Sequence, residues 1–481
     1  MAIVTGDASF TYETIERRTA QVVDALHRLG VRPGDRVAVH VDKSPEALFA
    51  YLGCLRAGAV FLPLNPAYRS DEVGYFLGDA EPTLAIARPE DEGWFPATAS
   101  VAGVRTVLDL DGQGRGTWAS AVDAGSSENP PPASTVGDDV AAIVYTSGTT
   151  GRSKGAMITH RNMVSNAVAL QNAWAFTESD VLIHALPIFH VHGLFVATHT
   201  AMLTGITMRF HPVFDPARVI GDFAVGTVFM GVPTMYTRLL ADKELTREKA
   251  AGMRLFVSGS APLLAETFNE FRRRTGHTVL ERYGMTETGM NTSNPYVGER
   301  KSGTVGLPLD GVQVRVADEA GEAVPAGTVG AVQVKGPNVL RGYWRRPDKD
   351  AEEFTADGWF RTGDVGVFDS DGYLELVGRS KDLVISGGYN VYPKEIELLL
   401  DQLPGIIESA VVGVADADFG EAVTAAVTVE DGYVLDEAAL IAALKLRLAS
   451  FKVPKRIYVV DELPRNAMGK VQKNVLRDLL A

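Results

Sequence analysis

Stretches with a helical hydrophobic period alternate with short apolar runs over about residues 10 to 120. Two segments predict helices, YETIERRTAQVVDALHRLG (12–30) and SPEALFAYLGCLRAG (44–58), and two predict strands, RVAVHV (36–41) and AVFLPL (59–64). This alternation is typical of a parallel sheet flanked by helices. The N-terminal part of the chain is therefore predicted to be α/β.

The segment DAGSSENPPPASTVGDD (123–139) interrupts this pattern and is rich in Pro, Ser and Asp. Such a composition predicts a surface loop. An apolar strand then runs directly into a loop of Gly, Ser and Thr, and the alternation continues to about residue 300. Glycine-rich, strand-like pieces follow, such as GVQVRVAD and GYLELVGR.

A different pattern begins at the charged sequence RSKD (379–382). Residues 393–403 predict a helix with Pro393 at its first position, and a later amphipathic helix is predicted to be capped by Asp436. Apolar strands lie between these helices, and about 100 residues of this kind can build a core of their own. We therefore expect a large domain at 1–379 and a small α+β domain at 380–481.

Net charge and cysteine content exclude several classes of binding partner and of structural site. Of 481 residues, 46 are Lys or Arg and 60 are Asp or Glu, which gives a formal charge of −14. An acidic surface does not attract phosphate backbones or anionic lipid, so we expect neither nucleic acid nor membrane as a partner. The single cysteine, Cys54, excludes an intrachain disulfide and a cysteine-based zinc site, and its apolar context predicts a buried thiol.

The N-terminal sequence MAIVTGDASFTYETIERR lacks a basic region followed by an apolar stretch. It therefore does not have the pattern of a secretory signal. No apolar run approaches the roughly 20 residues that span a bilayer. We expect a cytoplasmic protein that acts on small molecules as a monomer or a weak homodimer.

The loop YTSGTTGRSKG (145–155) carries the first chemical signal. Its glycines, hydroxyl side chains and one lysine, Lys154, provide backbone donors and a positive charge that suit a polyphosphate. The spacing differs from the GxxxxGK[ST] of a Walker A loop. A Ser/Gly linker is the alternative interpretation, but a linker needs neither the preceding apolar strand nor a lysine at this place.

This loop resembles the signature of the AMP-forming adenylating family, which includes acyl-CoA synthetases, firefly-type luciferases and peptide-synthetase adenylation domains. The resemblance covers nearly the whole chain, and motifs in the family's order make it very specific. These further motifs are LPIFHVHG (186–193), VSGSAPL (257–263), ERYGMTET (281–288), GWFRTGDVG (358–366), GRSKDLVISGGYNVYPKEIE (378–397) and PRNAMGKVQK (464–473).

The resemblance implies a large multi-sheet N-terminal domain, a small mobile C-terminal domain and an active site between them. It also implies ATP with Mg²⁺, and coenzyme A as a co-substrate. The implied chemistry is attack of a carboxylate on the α-phosphate of ATP, followed by attack of a thiol on the acyl adenylate. Both steps depend on orientation and charge stabilisation more than on acid–base catalysis.

The resemblance also implies roles for individual residues. Thr286 is similar to the hydroxyl that contacts the α-phosphate, Glu287 to the Mg²⁺ ligand and Lys470 to the lysine that bridges carboxylate and phosphate. Lys381 is similar to the hinge residue, and His190 to an aromatic gate of the acid pocket. The residues implied in ATP or AMP binding are Thr146, Ser147, Gly148, Thr149, Thr150, Gly151, Lys154, Ser260, Tyr283, Gly284, Thr286, Asp364, Arg379 and Lys470.

Two arginines indicate the chemical nature of the acid substrate. GVPTMYTRLL places Arg238 on a helix that lines the acyl site in this family, and Arg282 directly precedes the nucleotide motif. A buried guanidinium without a partner is costly, so the pair implies an anionic group on the substrate. The alternative is that one arginine pairs with a protein carboxylate such as Glu281. These segments resemble those of malonyl-CoA synthetases.

We therefore expect ligation of malonate to coenzyme A, with methylmalonate as a further acid. A medium-chain or aryl acyl-CoA synthetase is the alternative within the same chemistry. An adenylation enzyme that loads a carrier protein is an alternative of another class. A nucleotide-binding protein without activity is disfavoured because Lys154, Glu287, Asp364 and Lys470 are all present. The pair His190 and His192 also suggests a metal, but no cysteine or carboxylate lies beside it at ligand spacing.

Overall fold

The computed structural model of the protein describes residues 1–6, 8–126, 128, 132–146, 153–386, 389–416, 419–448, 450–466 and 469–481. Its strands are β1 (Ile3–Thr5), β2 (Ala8–Phe10), β3 (Arg36–His40), β4 (Val60–Pro63), β5 (Leu84–Ala87), β6 (Thr106–Asp109), β7 (Val140–Thr146), β8 (Lys154–Thr159), β9 (Val181–His184), β10 (Thr207–Phe210), β11 (Val228–Gly231), β12 (Leu255–Ser258), β13 (Leu280–Met285), β14 (Gly289–Ser293), β15 (Leu307–Pro308), β16 (Gln313–Ala317), β17 (Gly330–Lys335), β18 (Gly342–Tyr343), β19 (Phe360–Phe368), β20 (Leu374–Arg379), β21 (Val384–Ser386), β22 (Tyr389–Val391), β23 (Ile406–Asp416), β24 (Gly420–Val429) and β25 (Arg456–Val459).

The helices are α1 (Tyr12–Arg28), α2 (Pro45–Arg56), α3 (Ser70–Ala80), α4 (Phe95–Val101), α5 (Thr117–Asp123), α6 (His160–Ala173), α7 (Thr198–Thr204), α8 (Pro216–Asp222), α9 (Pro233–Ala241), α10 (Arg247–Ala250), α11 (Ala265–Thr275), α12 (Pro347–Glu353), α13 (Pro393–Leu400), α14 (Glu437–Lys445) and α15 (Lys473–Leu480). A π-helix, His192–Ala197, precedes α7. Short 3₁₀ turns lie at Pro89–Asp91, Ser380–Asp382 and Ser450–Lys452.

Four sheets form from the described strands. The largest has nine strands in the order β15-β14-β13-β12-β11-β9-β10-β1-β2, and a second has seven in the order β18-β8-β7-β4-β3-β5-β6. Neighbours from β9 to β13 are parallel, as are β3, β4, β5 and β6. The predicted parallel α/β pattern is therefore confirmed. One apolar core includes residues of both sheets and of helices α1, α2 and α6.

The remaining sheets have the orders β16-β17-β19-β20 and β22-β21-β24-β23, the latter extended by β25 beside β24. Helices α13 and α14 supply Ile396, Leu400, Leu440 and Leu444 to a separate apolar core with β24. The predicted helix starts are confirmed. Pro393 is the first residue of α13, and the Asp436 carboxylate accepts a hydrogen bond from the Ala439 amide at 3.0 Å.

The chain divides into two compact units. The first is Met1–Val314 with Val334–Phe360, and the second is Arg315–Gln333 with Arg361–Ala481. The division falls before residue 379 because β20 pairs with β19, so these strands stay together. The domain boundary predicted between residues 379 and 380 stays a prediction. A large unit with several sheets and a smaller α+β unit agree with the predicted fold class.

Burial of polar groups inside the first unit has consequences for stability. Cys54 is fully buried, as predicted, and burial raises the pKa of its thiol. The His199 side chain is half-buried, and its Nε2 lies 2.6 Å from the Tyr51 hydroxyl. Burial lowers the pKa of His199 to about 4. The folded state therefore resists protonation of a group that the unfolded chain protonates near pH 6.5.

We predict that His199 makes the protein less stable as the pH falls from 6.5 towards 4. In this window the unfolded state binds the proton and the folded state does not. The free energy of unfolding therefore decreases as the pH is lowered. Between pH 7 and pH 5, His199→Gln should remove roughly 2 kcal/mol of this loss. Urea unfolding of both proteins at several pH values measures the difference, and parallel curves would contradict it.

Candidate functional site

The ends of β7 and β8 bring two predicted phosphate-binding residues together. These strands form an antiparallel pair in which Thr146, the last residue of β7, lies opposite Lys154, the first of β8. The predicted residues Ser147, Gly148, Thr149, Thr150 and Gly151 lie outside the described residues. Both strands are apolar and mostly buried, which fixes where the loop between them begins and ends.

Lys154 is held by side chains from a distant part of the chain. Its Nζ lies 3.0 Å from a carboxylate oxygen of Glu353 at the end of α12 and 4.2 Å from the centre of the Tyr343 ring. The lysine side chain is only 13% exposed. An anion that binds Lys154 would therefore compete with the Glu353 carboxylate.

Thr286 and Glu287 lie in the turn between β13 and β14. The Glu287 side chain is buried, and its Oε1 accepts hydrogen bonds from the Thr146 hydroxyl at 3.1 Å and the Tyr343 hydroxyl at 3.2 Å. Burial, followed by the charge of Glu287, raises the pKa of Tyr343. This contact joins the β13–β14 turn to the end of β7.

Close packing of β13 against β14 explains the glycine in the same motif. A Cβ at Gly284 would lie 2.1 Å from the carbonyl oxygen of Gly289, so no larger residue fits there without movement. Tyr283 is buried on β13 and pairs in register with Thr292. The turn that carries Thr286 is therefore held by backbone contact on both strands.

Arg282 is a buried charged residue of the first unit. It is 3% exposed, and its Nε and Nη2 have no hydrogen-bond partner among the described residues. Burial lowers the pKa of this guanidinium to about 9, so it still carries a charge at neutral pH. The guanidinium packs against Gly259, where a Cβ would lie 2.4 Å from Arg282 Cζ. A glycine at 259 thus makes room for the charge.

His192 and Ser260 lie beside this guanidinium. His192 Nδ1 is 3.3 Å from the Ser260 hydroxyl, and His192 Nε2 has no partner among the described residues. Burial, and after it the charge of Arg282, lowers the pKa of His192 well below its usual value, so the imidazole is neutral at pH 7. Ser260 has a φ of +72°, a strained conformation for a residue with a side chain.

His190 precedes this group at the end of a loop. Its Nδ1 accepts a hydrogen bond from the His192 amide at 3.3 Å. Among the described residues no cluster of three or more His, Cys, Asp or Glu side chains is arranged to hold a metal ion. The histidine pair thus takes part in a hydrogen-bonded turn.

Arg238 differs from Arg282 in its surroundings. It lies on α9 as predicted, but it is exposed, and its guanidinium carbon is 5.2 Å from the centre of the Phe214 ring. The expectation that both guanidiniums are buried is therefore wrong for Arg238. The alternative is that one arginine pairs with a protein carboxylate such as Glu281. Among the described residues no carboxylate contacts Nε or Nη2 of Arg282, and adjacent side chains of a strand such as those of Glu281 and Arg282 point to opposite faces.

The second unit carries the predicted ribose-binding residues. Asp364 on β19 lies opposite Arg379 on β20, and Arg379 Nε is 3.0 Å from the Asp364 carboxylate. Asp364 is buried, whereas the Arg379 side chain is 44% exposed. The strand pairing thus brings these two residues together, and their role in ribose binding stays a prediction.

Lys381 and Lys470 are also in the second unit. Lys381 is exposed in the 3₁₀ turn Ser380–Asp382 that follows β20. Lys470 is exposed at the end of a tight turn, in which its amide donates to the Asn466 side chain at 3.0 Å and Gly469 has a φ of +75°. Both residues therefore lie on irregular segments that present their side chains at a surface.

Several residues of the site were not predicted from sequence. His192 has a signal in the sequence, since it follows His190 by two positions, but that spacing suggests only a metal ligand. Gly259 stands in the motif VSGSAPL, which indicated only Ser260. Tyr343 and Glu353 had no signal, because their contacts with Lys154 and Glu287 join segments that are distant in sequence.

In the part of the chain that the structure describes, no helix has the length and apolar character needed to cross a bilayer.

The family model "AMP-binding enzyme" matches residues 1–344, and "AMP-binding enzyme C-terminal domain" matches residues 395–470. A feruloyl-CoA synthase of Amycolatopsis sp. is 37% identical over 99% of this chain and 95% of its own length.

Two further proteins resemble the chain over most of its length. A malonate–CoA ligase of Arabidopsis thaliana is 36% identical, covering 94% of this chain and 79% of that protein. The crystal structure of ATP-bound MatB from Rhodopseudomonas palustris superimposes with a TM-score of 0.97. It is 52% identical over 99% of this chain and 95% of that one.

We predict that Arg282 destabilises the free protein. Since its charge is buried and no described residue supplies a carboxylate partner, Arg282→Met should raise the free energy of unfolding by about 1–4 kcal/mol. Arg273→Met, which removes an exposed guanidinium paired with Glu270, is the control and should have little effect. Urea unfolding measures both. A loss of stability in Arg282→Met would show that the guanidinium is a structural group.

Proposed function

This chain belongs to the family of AMP-binding enzymes and is an AMP-forming CoA ligase, and on this basis we propose that its acid substrate is malonate. Methylmalonate is the proposed further acid. In the proposed reaction a carboxylate oxygen of malonate attacks the α-phosphorus of ATP and pyrophosphate leaves. The thiol of coenzyme A then attacks the acyl carbon, and AMP leaves.

The buried guanidinium of Arg282 is the observation that supports malonate. Its Nε and Nη2 have no hydrogen-bond partner among the described residues, and a neutral imidazole and a strained serine lie nearby. A carboxylate accepts two parallel hydrogen bonds from a guanidinium and compensates its charge. Malonate supplies one carboxylate for this purpose and a second as the nucleophile. Arg238, exposed on α9, is a second proposed contact of the acid.

Binding of ATP is assigned to residues of both units. Thr146 and Lys154 flank the predicted phosphate loop, and a polyphosphate is expected to replace Glu353 as the partner of Lys154. Thr286 is proposed to donate to the α-phosphate. In the second unit, Asp364 is proposed to accept from the ribose hydroxyls, with Arg379 orienting it.

The surroundings of Glu287 fit Mg²⁺. One carboxylate beside two hydroxyl groups, together with phosphate oxygens from the nucleotide, is a donor set that this ion uses. When bound, Mg²⁺ neutralises charge on the phosphate oxygens. The Thr146 and Tyr343 hydroxyls hold the carboxylate in one orientation.

Three further roles are proposed on the family resemblance. Lys470 stabilises the negative charge shared by the attacking carboxylate and the phosphate. Lys381 is the hinge at which the second unit turns between the two half-reactions. His190 separates the acid pocket from the nucleotide. The exposed positions of both lysines agree with these roles.

An aryl acid is the second candidate, because the feruloyl-CoA synthase is as similar in sequence as the malonate–CoA ligase. Arg282 disfavours it. An aryl acid with one carboxylate uses that group as the nucleophile and leaves the buried guanidinium unpaired, at a cost in binding free energy.

We predict that malonate exceeds propionate in kcat/KM by about 10⁴, because a site built for a polar group discriminates strongly against substrates that lack it. Arg282→Met should lower kcat/KM for malonate by about 10²–10³ and change that for propionate little. Initial rates of AMP release with malonate, methylmalonate, propionate and ferulate measure the selectivity.

Two outcomes would count against malonate. A wild-type preference for ferulate would favour the aryl acid. An equal fall of kcat/KM for malonate and propionate in Arg282→Met would show that Arg282 does not contact the acid. Arg273→Met, again the exposed control, should leave both values unchanged.

We also predict that Lys470→Ala lowers the rate of adenylate formation by about 10²–10³ and leaves thioester formation from synthetic malonyl adenylate largely intact. A lysine that stabilises only the first transition state cannot affect the second half-reaction. Pyrophosphate exchange and single-turnover thioester assays separate the two steps. Lys445→Ala, an exposed lysine of α14, is the control. Equal losses in both steps would refute the assignment.

A further inference from the structure

A lysine is buried in the first unit at a place where the proposed reaction does not use it. Lys43 lies between β3 and α2 and is 7% exposed. Its Nζ donates to the carbonyl oxygen of His184 at 2.8 Å, lies 3.0 Å from His184 Nδ1, and stands 4.2 Å from the centre of the Phe210 ring. No ion pair joins it to a carboxylate of the described residues. His184 is therefore its principal polar partner.

His184 connects Lys43 to the π-helix, because its other ring nitrogen contacts that helix. The residue ends β9 and is 1% exposed. The Gly193 carbonyl oxygen near Nε2 can only accept, so the proton of the neutral imidazole is on Nε2 and Nδ1 accepts from the Lys43 amine. His184 Nε2 lies 3.0 Å from the carbonyl oxygen of Gly193 and 3.3 Å from the Thr198 hydroxyl. Lys43 thus selects the tautomer that can donate to Gly193.

The Gly193 carbonyl is the point at which the π-helix is fixed. It accepts from His184, from the Thr198 hydroxyl at 2.9 Å and from the Thr198 amide. A Cβ at Gly193 would lie 2.0 Å from the carbonyl oxygen of Pro187, so the backbone is also held by close contact. π-Helices are rare overall and frequently occur at functional sites.

The residue that precedes Gly193 is His192, whose side chain lies beside Ser260 and Arg282 in the proposed acid pocket. We propose that Lys43 and His184 are positioning residues for this pocket: by fixing the Gly193 carbonyl they hold the His192 imidazole against Ser260, and they thereby contribute to selection of the acid. The role in acid selection rests on the proposed function. Both side chains are buried behind the π-helix and act through His192.

Stability alone does not account for this lysine. Burial lowers the pKa of Lys43 well below its usual value, so the folded chain pays for keeping an amine there. A methionine of similar length would pack on Phe210 without this penalty. The specific hydrogen bonds to His184 are what a methionine would remove.

The test uses the full-length enzyme and three variants. Lys43→Met removes the donor to His184, and His184→Phe keeps a ring beside Phe210 but removes the donor to Gly193. Each variant should raise KM for malonate about 10-fold, which is the effect of losing a buried hydrogen bond. KM for ATP and kcat for propionate should stay within about twofold of the wild-type values. His184→Gln retains an amide donor and should restore most of the affinity for malonate. Lys249→Met, an exposed lysine paired with Glu244, is the control.

A double variant and crystal structures complete the test. If Lys43 acts through His184, Lys43→Met should add nothing to His184→Phe. The crystal structure of Lys43→Met should show the His192 ring displaced from Ser260, a result that does not depend on which acid the enzyme uses. A wild-type preference for another acid would overturn the malonate proposal, while the displaced ring would still support positioning of the pocket.

The proposal is overturned by either of two results. In the first, KM for malonate and the position of His192 are unchanged in Lys43→Met. In the second, rates with malonate, propionate and ATP fall together with the melting temperature, which is the pattern of a merely structural residue.

Discussion

The proposed acid pocket depends on the buried positive charge of Arg282, which has no carboxylate partner in the part of the chain that the structure describes. Arg282 can occupy its place because Gly259 has no side chain and because β13 holds its backbone in register with β12 and β14. The neighbouring imidazole of His192 is kept neutral by burial and by this charge. Burial of the Arg282 charge lowers the stability of the folded chain. An anion that binds there compensates the charge, and this compensation strengthens its binding.

The phosphate side of the site is organised by contacts over long sequence distances. Thr146 and Lys154 are brought together by a strand pair, and Glu287 reaches them through the hydroxyls of Thr146 and Tyr343. Each carboxylate and hydroxyl in this group is buried or half-buried, and each is hydrogen-bonded. Buried polar groups satisfied in this way keep one orientation, which is what transfer of an adenylyl group to a carboxylate requires.

The second unit presents its candidate residues differently. Asp364 and Arg379 are fixed opposite each other by strand pairing, whereas Lys381 and Lys470 lie exposed on short irregular segments. Fixed groups suit the binding of a ribose. Exposed lysines on turns suit contacts that are made in one half-reaction and released in the next, which is the behaviour proposed for both residues.

The sequence by itself determined the α/β pattern, the helix caps at Pro393 and Asp436, and the order of motifs that indicates the family, because these are properties of local periodicity and spacing. Only the tertiary structure decided that Arg282 is buried while Arg238 is exposed, since burial depends on which elements pack around a residue. The ion pair between Lys154 and Glu353 could not be predicted from the sequence either, because 199 residues separate the two charges along the chain.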